Sequence, residues 1–123
     1  MAKDFDFSGT WRSSYTFTTP SPDADFTDTY EVQIHEAGNQ LVIQSLPNDE
    51  GSYILLRLTL DGRIATGTWY EHTSPKGHYK GVMYYGPLQF VMDEDGNALR
   101  GNWLGVDDNM KMQGGEQTVV RVA

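Results

Sequence analysis

Cysteine is absent from the chain, which removes disulfides, thiolate nucleophiles and the usual structural zinc sites in one step. Basic residues are scarce: 9 Lys plus Arg stand against 17 Asp plus Glu, a net charge of −8. That balance disfavours a grip on duplex phosphates or on an anionic membrane surface, and leaves open only a small anion held in an enclosed pocket by one or two arginines. No window approaches the ~20 apolar residues needed to span a bilayer, and the opening MAKDFDFSG lacks the apolar stretch of a secretion signal. A soluble, cytoplasmic protein is the expectation. No segment carries a helical stripe of useful length, and the one place for a short helical turn is 20–27.

Several chemical signatures are also missing. The stretch 112-MQGGEQ-117 has neither the lysine nor the helix of a phosphate loop, and no Gly-x-Ser-x-Gly elbow occurs. The segment 93-DEDGN-97 lacks the remaining ligands of a calcium loop and reads as a turn with glycine, as does 107-DD-108. No cofactor is expected.

What the chain does have is aromatic side chains, 12% of its residues, together with 13 glycines and a periodicity of two. In 29-TYEVQIHE-36, Tyr30, Val32 and Ile34 alternate with Glu31, Gln33 and His35 as a half-buried strand requires. Turn residues punctuate the chain at 19-TPSPDAD-25, 37-AGN-39, 47-PNDEG-51, 61-DG-62, 74-SPKG-77, 86-GP-87, 93-DEDGN-97 and 113-QGGE-116. Strands are predicted near 10–18, 28–36, 40–46, 52–60, 63–73, 78–85, 88–93, 97–105 and 116–122. At 123 residues this is one domain, an all-β antiparallel meander of about eight strands. Closure into an up-and-down barrel is preferred over a sandwich because it removes both free edges.

All the tryptophans follow one pattern: 9-GTW-11, 67-GTW-69 and 101-GNW-103. Glycine two positions before an inward Trp lies on the same face, leaving space for the indole or for a close backbone crossing. Packing in a core is the plain reading of Trp11, while Trp69 and Trp103 stand between core packing and the lining of a pocket. The first triplet, after a disordered-looking start, resembles the Gly-x-Trp that opens the first strand of calycins, the lipocalin and fatty-acid-binding superfamily. The longer stretches G-T-W-Y-E-H-T-S-P-K-G-H-Y-K-G-V-M-Y-Y-G from Gly67 to Gly86 and G-N-W-L-G-V from Gly101 to Val106 carry a further resemblance. They are similar to the small β-barrel sensor domain that follows a helix-turn-helix in some actinobacterial regulators. More distantly, they resemble the barrel of membrane-spanning CBASS effectors. That second resemblance implies binding of a cyclic oligonucleotide signal. The chain departs from the pattern in carrying neither a helix-turn-helix nor transmembrane segments, and in having Gly115-Glu116-Gln117 where the resemblance leads to an aromatic. The calycin resemblance also implies an Arg stacked on the first-strand Trp at the closed end, a place that Arg12 would fill.

Around the central hairpin, Glu71 shares a face with Trp69, an arrangement that raises a carboxyl pKa and invites an acid role unless Arg12, Arg57 or backbone N–H groups satisfy the charge. No positioned nucleophile accompanies it. His72 and His78 flank the turn 74-SPKG-77, but their spacing matches no zinc motif, and no metal is expected. In 78-HYKGVMYYG-86, Tyr79 and Tyr84 fall on opposite sides of the strand beside glycines. In 52-SYILLRLTL-60, Ile54, Leu56, Leu58 and Leu60 form the core face, leaving Arg57 either on a solvated surface or as an anion anchor.

The expected function is non-catalytic binding of a small molecule. Trp69, Tyr79, Tyr84 and Trp103 would stack on it, Glu71 and Gln89 would orient it, and Arg57 would anchor an anionic group. The resemblance implies a nucleotide-type signal and a sensor role. The alternatives are a small barrel enzyme, an isomerase or cyclase using Glu71 as acid or base, and a filled barrel that contacts other proteins. Partners are expected to be a small-molecule ligand and, through exposed tyrosine-rich edges, a second copy of the chain, with neither duplex nucleic acid nor membrane involved.

Overall fold

The computed structural model describes residues 5–18, 25–75, 81–106 and 109–122. Alternating apolar residues make eight strands: β1 (Trp11–Thr18), β2 (Asp25–Ala37), β3 (Gln40–Ser45), β4 (Tyr53–Asp61), β5 (Ile64–His72), β6 (Met83–Met92), β7 (Ala98–Val106) and β8 (Met112–Arg121). Each pairs antiparallel with the next, and β1 pairs with β8, closing an up-and-down barrel. No helix occurs among the described residues, so none is long and apolar enough to cross a membrane.

Register follows from the pleat. Every second residue faces the interior, so a slip of one position would exchange core for surface along a whole strand. The inward set contains Trp11, Val32, Leu41, Ile43, Leu56, Leu58, Phe90, Met92, Leu99 and Val119, all essentially removed from water. These residues fill the end of the barrel where β1 starts. Burial of such side chains stabilises the fold by about 1.5–3 kcal/mol each.

Three sequence expectations need correction. β6 is one strand running through Gly86-Pro87, where a turn was expected, and this makes eight strands of the predicted nine. Pro87 is tolerated there because the β6–β7 ladder ends at Leu88 and Trp103, just short of it, so its missing N–H interrupts no pair. β8 likewise begins at Met112 and contains the expected turn 113-QGGE-116. Finally, residues 25–27 of the expected helical turn belong to β2, while 20–24 lie outside the described residues.

Phe5 and Phe7 are also packed where irregularity was expected. Both are buried, and Phe7 stacks at a tilt on Trp11, with ring centroids 6.2 Å apart. The Trp11 indole donates to the Phe7 carbonyl at 3.1 Å. Arg121, not Arg12, lies over the Trp11 ring, its guanidinium carbon 4.3 Å from the ring centre, and donates to the carbonyls of Asp6 and Ser8. One side chain thus holds the N-terminal segment across this end of the barrel. Arg12 points outward and pairs with Glu31 at 2.9 Å. The difference is one of facing: Arg12 follows an inward residue and must face out, whereas Arg121 is the register partner of Trp11.

Candidate functional site

The interior changes character toward the other end, where β1, β3, β5 and β7 finish. Two indoles shape that end by the same device. Trp69 on β5 reaches across Gly86 on β6 and donates to the Leu104 carbonyl on β7 at 2.8 Å. Trp103 on β7 reaches across Gly115 on β8 and donates to the Thr16 carbonyl on β1 at 3.0 Å. A Cβ at either glycine would collide with the accepting carbonyl, and it would stand 2.9 Å and 2.8 Å from the respective indole nitrogens. Trp103 thereby occupies the space that the absence of an aromatic on β8 leaves. The glycines of the triplets serve differently: a Cβ at Gly67 or Gly101 would strike the backbone of the preceding strand, at Arg57 and Gln89. The rings meet edge to face, with centroids 5.4 Å apart, and Tyr15 meets Trp103 in the same manner at 6.3 Å.

Beside these rings lies a carboxylate cluster. Glu71 Oε2 accepts from the hydroxyls of Tyr15 and Tyr30, the latter at 2.9 Å. The Tyr15 hydroxyl is also 3.2 Å from Asp28 Oδ2. A phenol has one proton, so with both carboxylates ionised only one of the Tyr15 contacts is a donated hydrogen bond, and a proton on either carboxyl restores both. Burial pushes the Glu71 carboxyl above the ordinary range, and the Asp28 charge adds to the rise, against hydrogen bonds from Tyr15 and Tyr30 that lower it. Burial, followed by the Glu71 charge, pushes both phenols up, so they remain protonated donors.

The expected partners of Glu71 were arginines or backbone N–H groups, and the structure supplies tyrosines instead. Ion pairs among the described residues, Arg12–Glu31, Arg63–Glu94 and Arg100–Asp93, involve neither Glu71 nor Asp28. Deeper in the barrel Gln117, the register partner of Tyr15 and 3% exposed, donates from its amide nitrogen to Ser13 at 3.1 Å.

Of the sequence-predicted residues, Trp69, Glu71, Tyr84 and Trp103 come together on the inward face: Tyr84 is the register partner of Glu71, and both are half-buried. Arg57 and Gln89 do not join them. Both are exposed on the outer face, where Gln89 donates to Thr66 at 3.0 Å. Tyr79 lies outside the described residues. Tyr15, Asp28, Tyr30, Ser13 and Gln117 were not foreseen. The available signal was their spacing of two or four from Trp11, Val32 and Val119, which marks polar groups at inward positions.

His72 faces outward and stacks on Tyr53, centroids 5.2 Å apart, its Nδ1 buried without a partner among the described residues. His78 lies outside the described residues. No group of three or more His, Asp or Glu suited to a metal ion occurs among the described residues. Comparison with family models and with curated proteins finds no match.

Proposed function

We propose that this protein is a non-catalytic small-molecule-binding barrel whose ligand seats against Glu71 at the end of the barrel where β5 finishes. One observation carries the reading: a carboxylate faces inward there, held by two tyrosine hydroxyls and beside a second carboxylate. Burying a charge is costly unless it is paired, and a barrel serving only as a packed scaffold gains stability by placing an apolar residue at that position. Apolar residues pack the end of the barrel where β1 starts. Half-buried Trp69 and buried Trp103 add ring surface next to the carboxylate.

The same carboxyl, raised by burial and coupled through Tyr15 to Asp28, supports a second reading as a general acid in a small isomerase or cyclase. The nucleotide-type ligand implied by the resemblance requires cationic or donor groups around its phosphates. The inward groups described at this end are carboxylates, phenols and indoles, and Arg57 faces away from them.

A thermal-shift screen of the full chain against amines, nucleotides, cyclic oligonucleotides, fatty acids and apolar carriers' ligands tests the proposal. A ligand at about 100 times its dissociation constant raises stability by about 2.7 kcal/mol. Loss of that shift in Glu71→Gln supports seating at Glu71. Turnover of a hit by the wild type but not by Glu71→Gln favours the enzyme, and silence across all classes removes the binding reading.

A further inference from the structure

Independently of any ligand, we infer that the outer face of β5 to β8, at the end of the barrel where β5 finishes, is the contact surface of a two-fold homodimer. Tyr70 on β5 stacks on its register partner Tyr85 on β6, with ring centroids 6.0 Å apart. Along β6, Met83 and Pro87 flank Tyr85 on the same outward face, and both are exposed. Gly86 brings β6 up against the Leu104 backbone on β7, and the Leu104 side chain lies over Gly114 on β8. Val106 then meets its register partner Met112. The apolar surface is therefore continuous across four strands, with Tyr85 69% and Met112 64% exposed. A contiguous apolar patch of this extent on a sheet face marks a site of contact.

What covers the patch follows from its charge and its area. No Asp, Glu, Lys or Arg is among the outward residues within 68–72, 83–87, 102–106 and 112–114, in a chain whose net charge is −8. A cationic partner drawn to so acidic a chain would be read by carboxylates, and none lies in the patch. Two copies can lay this face on itself without setting like charges opposite one another. Uncharged surface rich in Tyr and Met is also the composition of an interface core. The exposed residues of the patch present on the order of 600 Å², so two copies together bury about 1,200 Å², the lower bound of a specific, stable interface. That area predicts a dimer of modest affinity, with a dissociation constant on the order of 10 µM. The backbone adds a further reason. Over 83–87, β6 is laddered to β5 alone among the described residues, since the β6–β7 register ends at Leu88 and Trp103. A stretch of strand paired on one side only is where a second chain settles.

Sedimentation of the full chain between about 1 µM and about 1 mM should show monomer passing to dimer near the predicted constant, and nothing larger. Over the same range, the amide resonances that move in the isotope-labelled chain should be those of 83–87 and 104–106. The Trp69 indole N–H, bonded to the Leu104 carbonyl, should move with them. Tyr85→Glu and Leu104→Glu each bring a charge onto the face and, across a two-fold, its copy. Each should raise the dissociation constant roughly tenfold or more, with the indole resonances still dispersed as in the folded wild type. Val91→Glu, on the same outer face of β6 but toward the opposite end and 48% exposed, should leave the dimer unchanged. A chain still monomeric at about 1 mM overturns the inference. So does a dimer that Tyr85→Glu and Leu104→Glu leave intact, or that Val91→Glu breaks equally. Concentration-dependent shifts confined to another part of the barrel overturn it in the wild type alone, so the test holds even if a patch variant fails to fold. Flotation of a monomeric wild type with neutral phosphatidylcholine vesicles, lost in Tyr85→Glu and Leu104→Glu, would assign the patch to lipid and overturn the dimer.

Discussion

The indole nitrogen of Trp69 donates to the carbonyl oxygen of Leu104, 2.8 Å away and two strands over, at the point where β6 and β7 cease to pair. A backbone ladder that ends early leaves a carbonyl without its N–H, and here a side chain supplies the donor. Trp103 does the same for Thr16, where β1 and β8 cease to pair.

Replacing either indole by phenylalanine keeps a ring and removes the donor. Trp103→Phe should cost about 2 kcal/mol, because its bond is partly buried, and Trp69→Phe about 1 kcal/mol, because water reaches its acceptor. Urea denaturation checks both. Equal stability to wild type would mean that the indoles only fill space.

Gly86 and Gly115 are the floors over which those indoles pass. Adding one methyl at either site forces backbone apart, and Gly86→Ala or Gly115→Ala should destabilise by about 1–3 kcal/mol, with the tryptophan fluorescence shifted toward that of exposed rings. Unchanged melting and emission would contradict the close crossing.

Glu71 makes stability depend on pH in a definite direction. Its folded pKa lies above the ordinary 4.5. The associated stabilisation is therefore fully present below about 4.5 and is lost as pH rises through the folded value. Glu71→Gln cannot ionise, so relative to wild type it should gain stability as pH rises from about 4.5 to about 8. Melting curves of both proteins across that range isolate the difference, since the other titrating groups are common to the two. A flat difference would show that Glu71 is solvated as in the unfolded chain.

The two arginines beside Trp11 should separate cleanly. Arg121→Ala loses the stacking and the bonds to the Asp6 and Ser8 carbonyls and should cost about 1–3 kcal/mol. Arg12→Ala breaks an exposed ion pair and should stay within about 0.5 kcal/mol of wild type. Chemical denaturation measures both, and the reverse ranking would restore Arg12 as the closing residue.

The alternation of Tyr30, Val32 and Ile34 and of Ile54, Leu56, Leu58 and Leu60 determined by itself that the chain forms strands, and which face of each is buried. Period two is a property of the extended backbone and needs no neighbour. The Gly67 and Gly101 triplets likewise marked where rings and close crossings would occur, and Trp69 and Glu71 could be placed on one face from their spacing alone. Only the tertiary structure decided which residues meet across the barrel. Tyr15 and Glu71 are 56 positions apart, and Trp11 and Arg121 are brought together only by closure of β1 on β8. Glycine and proline act in a turn or in a strand according to what lies beyond them, so Gly86-Pro87 and Gly114-Gly115 read as turns until the crossing indole of Trp69 and the Trp103 and Thr16 carbonyls were in view. The polar character of the site has the same origin: β1, β2, β5, β6 and β8 each contribute one or two inward polar residues, and only the closed sheet gathers them.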